Sequence, residues 1–427
     1  MKKTAYLLVL SSSLLLLFSS CRKDADYMPY PGEPSKLAYN TYTEQFEHLW
    51  KVMSTAYVFW DIDTVDWDAT HNRLLPLFRD LDGKYQDSGF VRTSDFEPLY
   101  ANMFGSMIDH HMTVYVENLH PHPSETYPSI IKINPASLEV PTRPYYIENR
   151  NTEQSGIKAF LKTIESNYTV IDRDSGTFAF NDAGLSASVT LHYCLFRLAD
   201  GRVVPYLWQS MAALTPLMKG KGTPGGKELI EKWLHTICDS ANLAGIILDN
   251  RTNRGGYQDD LDYLIGTFLN HRETIFETRY KEGPGRIEYS AWCPYYQDPN
   301  PTFHRDITAE NIPYVILTNV NSVSMGEIEP LVARAVLPTA HIMGERTWGG
   351  TCPLQPDQED LNYNAPFGDG ENHRGHYVYS STFACRIGGR QLESIGCEPD
   401  EVFNRKDAPA QSFAALLDAA LNYIKNH

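Results

Sequence analysis

Three short segments of this chain carry residue types that can do chemistry. The first is Leu317-Thr318-Asn319-Val320-Asn321-Ser322-Val323-Ser324-Met325-Gly326-Glu327. A buried strand runs into small polar residues and then a helix. A serine at a helix N-terminus sits where the dipole favours developing negative charge and where free N–H groups are at hand. It is also where serine serves as an ordinary N-cap. The second is Leu248-Asp249-Asn250-Arg251-Thr252-Asn253-Arg254-Gly255-Gly256. Its glycines permit positive φ and close backbone approach, so amide N–H groups can be aimed at an anion. A tight strand-to-helix turn is the simpler reading. The third is Met107-Ile108-Asp109-His110-His111-Met112-Thr113. A histidine there can act as a general base. Metal ligation by Asp109, His110 and His111 is disfavoured, because adjacent side chains rarely converge on one ion. No metal and no cofactor are expected.

The elements that must position these segments follow from periodicity. Apolar residues recur at helical spacing over 42–81 and 95–108, so residues 41–116 read as a helical N-terminal domain. Thr113 to Val116 begins a strand. Residues 117–200 read as a β-rich insert with room for a degenerate PDZ-like module. From 227 onward helices and short apolar strands alternate: a helix over 227–241, a strand over 244–249, a helix over 258–269, a strand over 314–318, a helix over 325–335, a strand over 340–344 and a terminal helix over 410–425. That alternation predicts an α/β core with a mostly parallel sheet across 201–427. The Lys/Gly run from Lys219 to Gly226 lacks the spacing of a phosphate-binding loop and reads as a connection.

Composition narrows the function classes. The chain has 427 residues, with 53 Asp and Glu against 37 Lys and Arg, a formal charge of -16. Phosphate contacts need clustered cations, so nucleic acid is excluded as a partner. Met1-Lys2-Lys3 and the apolar run from Ala5 to Phe18 read as an export signal, too short to span a bilayer. Leu17-Phe18-Ser19-Ser20-Cys21 resembles a bacterial lipobox, so Cys21 is the expected lipidation site. Residues 1–21 are then a lipoprotein signal peptide and 22–40 a tether. The mature chain is expected in the cell envelope, held to a bacterial membrane by lipid alone. The six further cysteines form no CxxC pattern and are expected mostly as free, buried thiols. Trp292, Tyr295 and Tyr296 read as one aromatic loop, the sole motive for considering glycan capture.

Together the segments resemble a known family. Asp249-x-Arg251-x-Asn253-x-Gly255-Gly256, followed by Ser324-x-x-Glu327, is similar to the motif pair of the C-terminal processing (tail-specific) serine peptidases. Gly344-Glu345-Arg346-Thr347-Trp348-Gly349-Gly350, Glu393 to Asp400 and Asp109 to Thr113 add to the resemblance, which spans most of residues 45–405. It implies a crotonase-like (ClpP/crotonase) core carrying the helical domain and the β-rich middle segment. It also implies a serine endopeptidase acting on peptides or unfolded polypeptides. Ser324 would be the nucleophile, with Met325 and Gly255 or Gly256 as oxyanion-hole donors. One branch activates its serine with a lysine after Thr-x-Gly; here that position is Gly350. The resemblance therefore points to the tricorn-core-like branch, with His111 as base and Glu393 as its orienter. His110 stands where the pattern has Gly or Ser. The alternative the departures leave is an inactive cell-envelope binding protein on a peptidase scaffold.

Overall fold

The structure, a computed structural model, describes residues 39–126, 129–133, 146–182, 185–283, 285–352, 376–381, 383–403 and 412–427. Cys21, the signal segment and the tether up to residue 38 lie outside the described residues.

The chain opens with α1 (Tyr42–Ala56), α2 (Trp67–Ser88) and α3 (Thr93–Phe104). Thr41 caps α1 by accepting the Glu44 N–H at 3.0 Å, and Asp66 caps α2 through Ala69 N–H at 2.9 Å. Phe46, Leu49 and Met53 fall on one face of α1 and are fully buried. Strands β1 (Thr113–Asn118) and β2 (Ser129–Ile133) follow, then α4 (Tyr146–Lys162). A long hairpin comes next, β3 (Val170–Asp182) and β4 (Leu185–Arg197), then β5 (Val203–Gln209), α5 (Leu214–Met218), α6 (Gly226–Asp239) and β6 (Ile246–Asp249). The helix expected over 258–269 is instead a broken run with one four-residue α-helical piece, α7 (Leu261–Leu264), between two 3-10 turns. The Asp260 carboxylate accepts the N–H groups of Leu214 and Thr215 at 2.8 and 2.7 Å, which ties the start of the run to α5.

The remaining elements are β7 (Glu273–Arg279), β8 (Cys293–Gln297), β9 (Tyr314–Thr318), α8 (Met325–Val336), β10 (Ala340–Gly344), β11 (His376–Tyr379), β12 (Ala384–Ile387), β13 (Arg390–Gln391), β14 (Glu401–Val402) and α9 (Ser412–Asn426). The main sheet has the order β14-β10-β9-β6-β5-β4-β3. Its pairings from β14 to β5 are parallel, and the β3–β4 hairpin continues it antiparallel. Residue 200, where the sequence reading separates an insert from the core, lies between β4 and β5, neighbours in this one sheet. A second sheet, β13-β12-β7-β8, carries Tyr295 and Tyr296 on a strand rather than in the expected loop. Tyr295 stacks on Phe276 at 4.6 Å, and Trp292 lies under the Arg279 and Arg386 guanidiniums, while Tyr295 and Tyr296 stay partly exposed on β8. The third sheet is β11-β1-β2.

Side-chain alternation along the central strands divides the interior. Leu207, Ile246, Leu248, Ile316 and Ile342 pack towards α6 and α8. Tyr206, Ile247, Val315, Leu317 and Met343 pack the other way, against α4 and α9. Burial on both faces is why these strands read as unbroken apolar runs. The six cysteines after Cys21 are all free, and Cys194, Cys352, Cys385 and Cys397 are buried.

Candidate active site

Ser324 is the N-cap residue of α8, at the end of the loop leaving β9. Its backbone has φ 56° and ψ -122°, a region that costs a non-glycine residue on the order of 1–3 kcal/mol. Hydrogen bonds on both sides impose it. The Ser324 N–H donates to Gly350 O at 3.1 Å and to Glu327 Oε1 at 3.3 Å. The Val323 N–H donates to Asn253 O at 2.9 Å, and Trp348 N–H to Ser322 O at 3.1 Å. The Met325 N–H, first in the helix, meets no acceptor among the described residues.

The Asn250–Gly256 loop closes over Ser324 from the end of β6. A Cβ on Gly255, whose φ is 89°, would lie 2.5 Å from Ser324 Cβ and 2.9 Å from its Oγ. Only glycine allows that approach. The Gly255 N–H is already donated to Asn253 Oδ1 at 3.0 Å, whereas the Gly256 N–H has no acceptor among the described residues. Below the loop, Arg251 and Asp249 form a buried paired contact, with Nη2 to Oδ2 at 2.6 Å, and Tyr206 donates to the same carboxylate at 2.7 Å. The loop before Ser324 is held from the reverse face by Glu153 of α4, which accepts from the side-chain amides of Asn319 and Asn321.

Glu327 ties the site together. Its buried carboxylate accepts Thr347 Oγ1–H at 2.5 Å, Gly349 N–H at 2.6 Å and Gly350 N–H at 2.8 Å, besides the Ser324 N–H. One side chain thus fixes the Thr347–Gly350 loop against the turn that carries Ser324. The sequence reading placed Glu327 in a motif but gave it no such part. The usable signal was its position three residues after a serine N-cap, the spacing of a capping box.

His110 and His111 lie on a turn closed by Met112 N–H to Asp109 O at 3.2 Å, before β1 begins. Their rings diverge. His110 packs on Trp348, with ring centres 4.8 Å apart. His111 faces Gly350: a Cβ there would be 3.1 Å from His111 Cε1. Gly350 therefore has its side-chain position turned towards His111 and its carbonyl bound to the Ser324 N–H. The His111 Nδ1 is buried without a hydrogen-bond partner among the described residues. Burial pushes the His111 imidazole below its ordinary pKa, and the Asp109 charge works against that.

Asp109, His111 and Glu393 each bring one ligand-type atom within 4.8 Å of the others. Both carboxylates are already saturated. Glu393 accepts from His110 N, Thr351 N, Thr351 Oγ1 and Cys352 N. Asp109 accepts from Ser380 Oγ, Ser381 N, Ser381 Oγ and His111 N. A metal would have to strip those buried donors, so the cluster is built to hold carboxylates beside an imidazole. Burial, aided by the Asp109 charge, raises the Glu393 carboxyl well above its usual range, and the His110 and Cys352 amides oppose this. Glu393 reaches His110 through its backbone N–H and not through the ring.

The site therefore brings together Ser324, Met325, Gly255, Gly256, His110, His111 and Glu393 from four separate stretches of chain. Residues 218–402, which hold most of them, match the model for peptidase family S41. This segment belongs to peptidase family S41. It makes the chain a serine-type peptidase by class. Among solved structures, the chain is similar to a protein of Parabacteroides merdae described as a candidate peptidase, at 19% identity and TM-score 0.60, covering 90% of this chain and 97% of that one. It is also similar to mature CPAF complexed with lactacystin, at 13% identity and TM-score 0.53, covering 91% and 99%. At such identities the likeness is one of fold. No curated protein matches the sequence.

Proposed function

We propose that this chain is an exported serine endopeptidase acting on unstructured polypeptides, with Ser324 as nucleophile and His111 as general base. The observation that carries this reading is Ser324 itself, held at positive φ on a strand-to-helix turn with His111 on the other side of Gly350. Strain of that kind persists only where surrounding contacts impose it, and it is a reason to suspect function. His111 takes the Ser324 Oγ proton as the oxygen attacks a peptide carbonyl. The oxyanion that forms is met by the Met325 N–H and by the Gly256 N–H, since Gly255 has spent its own on Asn253. The Asp109 carboxylate lies beside the imidazolium that forms and stabilises it, while Glu393 orients the histidine turn through the His110 N–H. The same imidazole then gives its proton to the leaving amine, and water repeats the sequence on the acyl-enzyme.

The sheet with its two helical faces is read as a crotonase-like core. Cys21 is read as the lipidated N-terminus that keeps the enzyme in a bacterial cell envelope. A serine-directed fluorophosphonate tests the central reading. Ser324 is expected to be labelled in the wild type and not in Ser324→Ala, with the modified peptide identified by mass spectrometry. A wild type that stays unlabelled between pH 6 and 9 would sink the nucleophile assignment.

A further inference from the structure

Beside the site runs an open groove of about 790 Å³. Its walls are Phe180 and Asn181 at the end of β3, Ser186 and Ser188 of β4, Lys221 of the Lys/Gly connection, and Arg254. The connection is not loose here. Asn181 N–H donates to Lys221 O at 3.2 Å, and Thr223 N–H to Ala179 O at 2.8 Å, so it lies along the free edge of β3 as a short extra strand. That fixes Lys221 on one wall of the groove.

Neither cation of the groove is paired with a carboxylate among the described residues. Arg251, three residues before Arg254, gives its guanidinium to Asp249. Arg279, Arg286, Arg305, Arg334 and Arg386 also pair with carboxylates. Arg254 and Lys221 form no ion pair with a carboxylate among the described residues; Arg254 Nη2 only meets Met211 Sδ at 3.6 Å. In a chain of formal charge -16, two exposed cations left unpaired in one groove make a local positive site. Arg254 is also the residue before Gly255, whose added Cβ would lie 2.9 Å from Ser324 Oγ.

We infer that this groove is a substrate subsite for a peptide carboxylate, read by Arg254 and Lys221. The inference rests on the peptidase reading above and adds what that enzyme selects. The Arg254 Cα is one ~3.8 Å step from Gly255, so the length of an arginine side chain sets how far from the reacting carbonyl the guanidinium can act. At ~3.3–3.6 Å per extended residue, the favoured carboxylate falls roughly two or three residues from the scissile bond. An arginine fork suits a carboxylate, and the lysine adds a second donor. The carboxylate comes either from an Asp or Glu side chain or from the C-terminus of the polypeptide.

Denatured β-casein serves as the first probe, with cut sites mapped by mass spectrometry. Peptides spanning the main cuts are then made in matched forms: Asp or Glu against Asn or Gln, and free C-terminal acid against amide. The wild type is expected to favour the carboxylate form by roughly five- to tenfold in kcat/KM, the size of an exposed charge-assisted contact, and less at high salt. In Arg254→Gln the ratio of the two forms should fall towards one, with a further fall on adding Lys221→Gln. Arg254→Lys should keep most of it, which separates lost charge from lost fold. The pair that shows the preference identifies the source. An unchanged ratio in the double variant would overturn the subsite while leaving the peptidase standing. A wild type that neither cuts casein nor takes the fluorophosphonate would end both.

Discussion

Glu327 and Glu329 lie two residues apart on α8, both fully buried, and they do opposite things. Glu327 looks out of the helix N-terminus into the loops of the site and accepts four hydrogen bonds. Glu329 looks under the sheet. Its Oε2 takes the side-chain amides of Asn250 and Gln209, and its Oε1 has no partner among the described residues. Burial, reinforced by the Asp260 charge, raises the Glu329 carboxyl well above its usual range. The pair shows what a buried carboxyl can be used for. Ringed by N–H donors it holds loops in place; short of donors it holds a proton more tightly and behaves as a packed polar group.

The largest expected effect lies just outside this pair, at the base. His111→Ala should lower kcat by on the order of 10³-fold, while His110→Ala, which loses a contact with Trp348, should lose much less. Since burial depresses the His111 pKa, its neutral, proton-accepting form persists to lower pH. The acid limb of kcat/KM should accordingly fall below the ordinary ~6.5 of histidine. A limb above 7, or wild-type turnover in a folded His111→Ala, would remove His111 from the mechanism.

Next in size is Glu327→Ala. It leaves the Thr347 hydroxyl and the Gly349 and Gly350 amides without their acceptor, at about 1–3 kcal/mol for each group that water does not reach. The loop that aligns Gly350 between base and nucleophile would shift, and a displacement of ~1 Å is enough to cost about 10²-fold in rate. Glu327→Gln, which keeps one acceptor oxygen, should fall between. If casein turnover in Glu327→Ala stays within about threefold of wild type, the loop does not depend on this carboxylate.

The smallest effect is expected at Glu329→Gln. A carboxyl whose folded pKa is raised stabilises the fold while protonated and loses that contribution as pH rises through the raised value. The neutral amide should therefore match the wild type near pH 5 and gain on it as pH increases, with Tm shifts of only about 2–4 °C. A large loss of Tm at every pH would mean that Glu329 works as an anion after all.

These contrasts bear on what was legible in the sequence. Strands β9 and β10 follow the sequence reading closely and β6 to within two residues, because each is a short apolar run buried on both faces. The helix expected over 258–269 failed because Asp260 turns its carboxylate onto α5, a contact between residues 45 apart. The β13-β12-β7-β8 sheet was not foreseen. It joins β7 to β12, about a hundred residues further on, and β8 is largely exposed, so neither periodicity nor spacing announces it. At the site, each segment was visible as a motif ending an element. What sequence could not supply was direction: that Glu393 would meet the His110 backbone, or that Arg251 would be spent on Asp249 while Arg254 met no carboxylate among the described residues.

Gly350 carries one more consequence. The Ser-Lys arrangement of similar peptidases needs a long side chain at this position, yet here even a single added carbon would press within 3.1 Å of the His111 ring. Grafting a lysine at 350 would thus expel the imidazole instead of assisting it, and a change of base in this scaffold has to be made at both positions together.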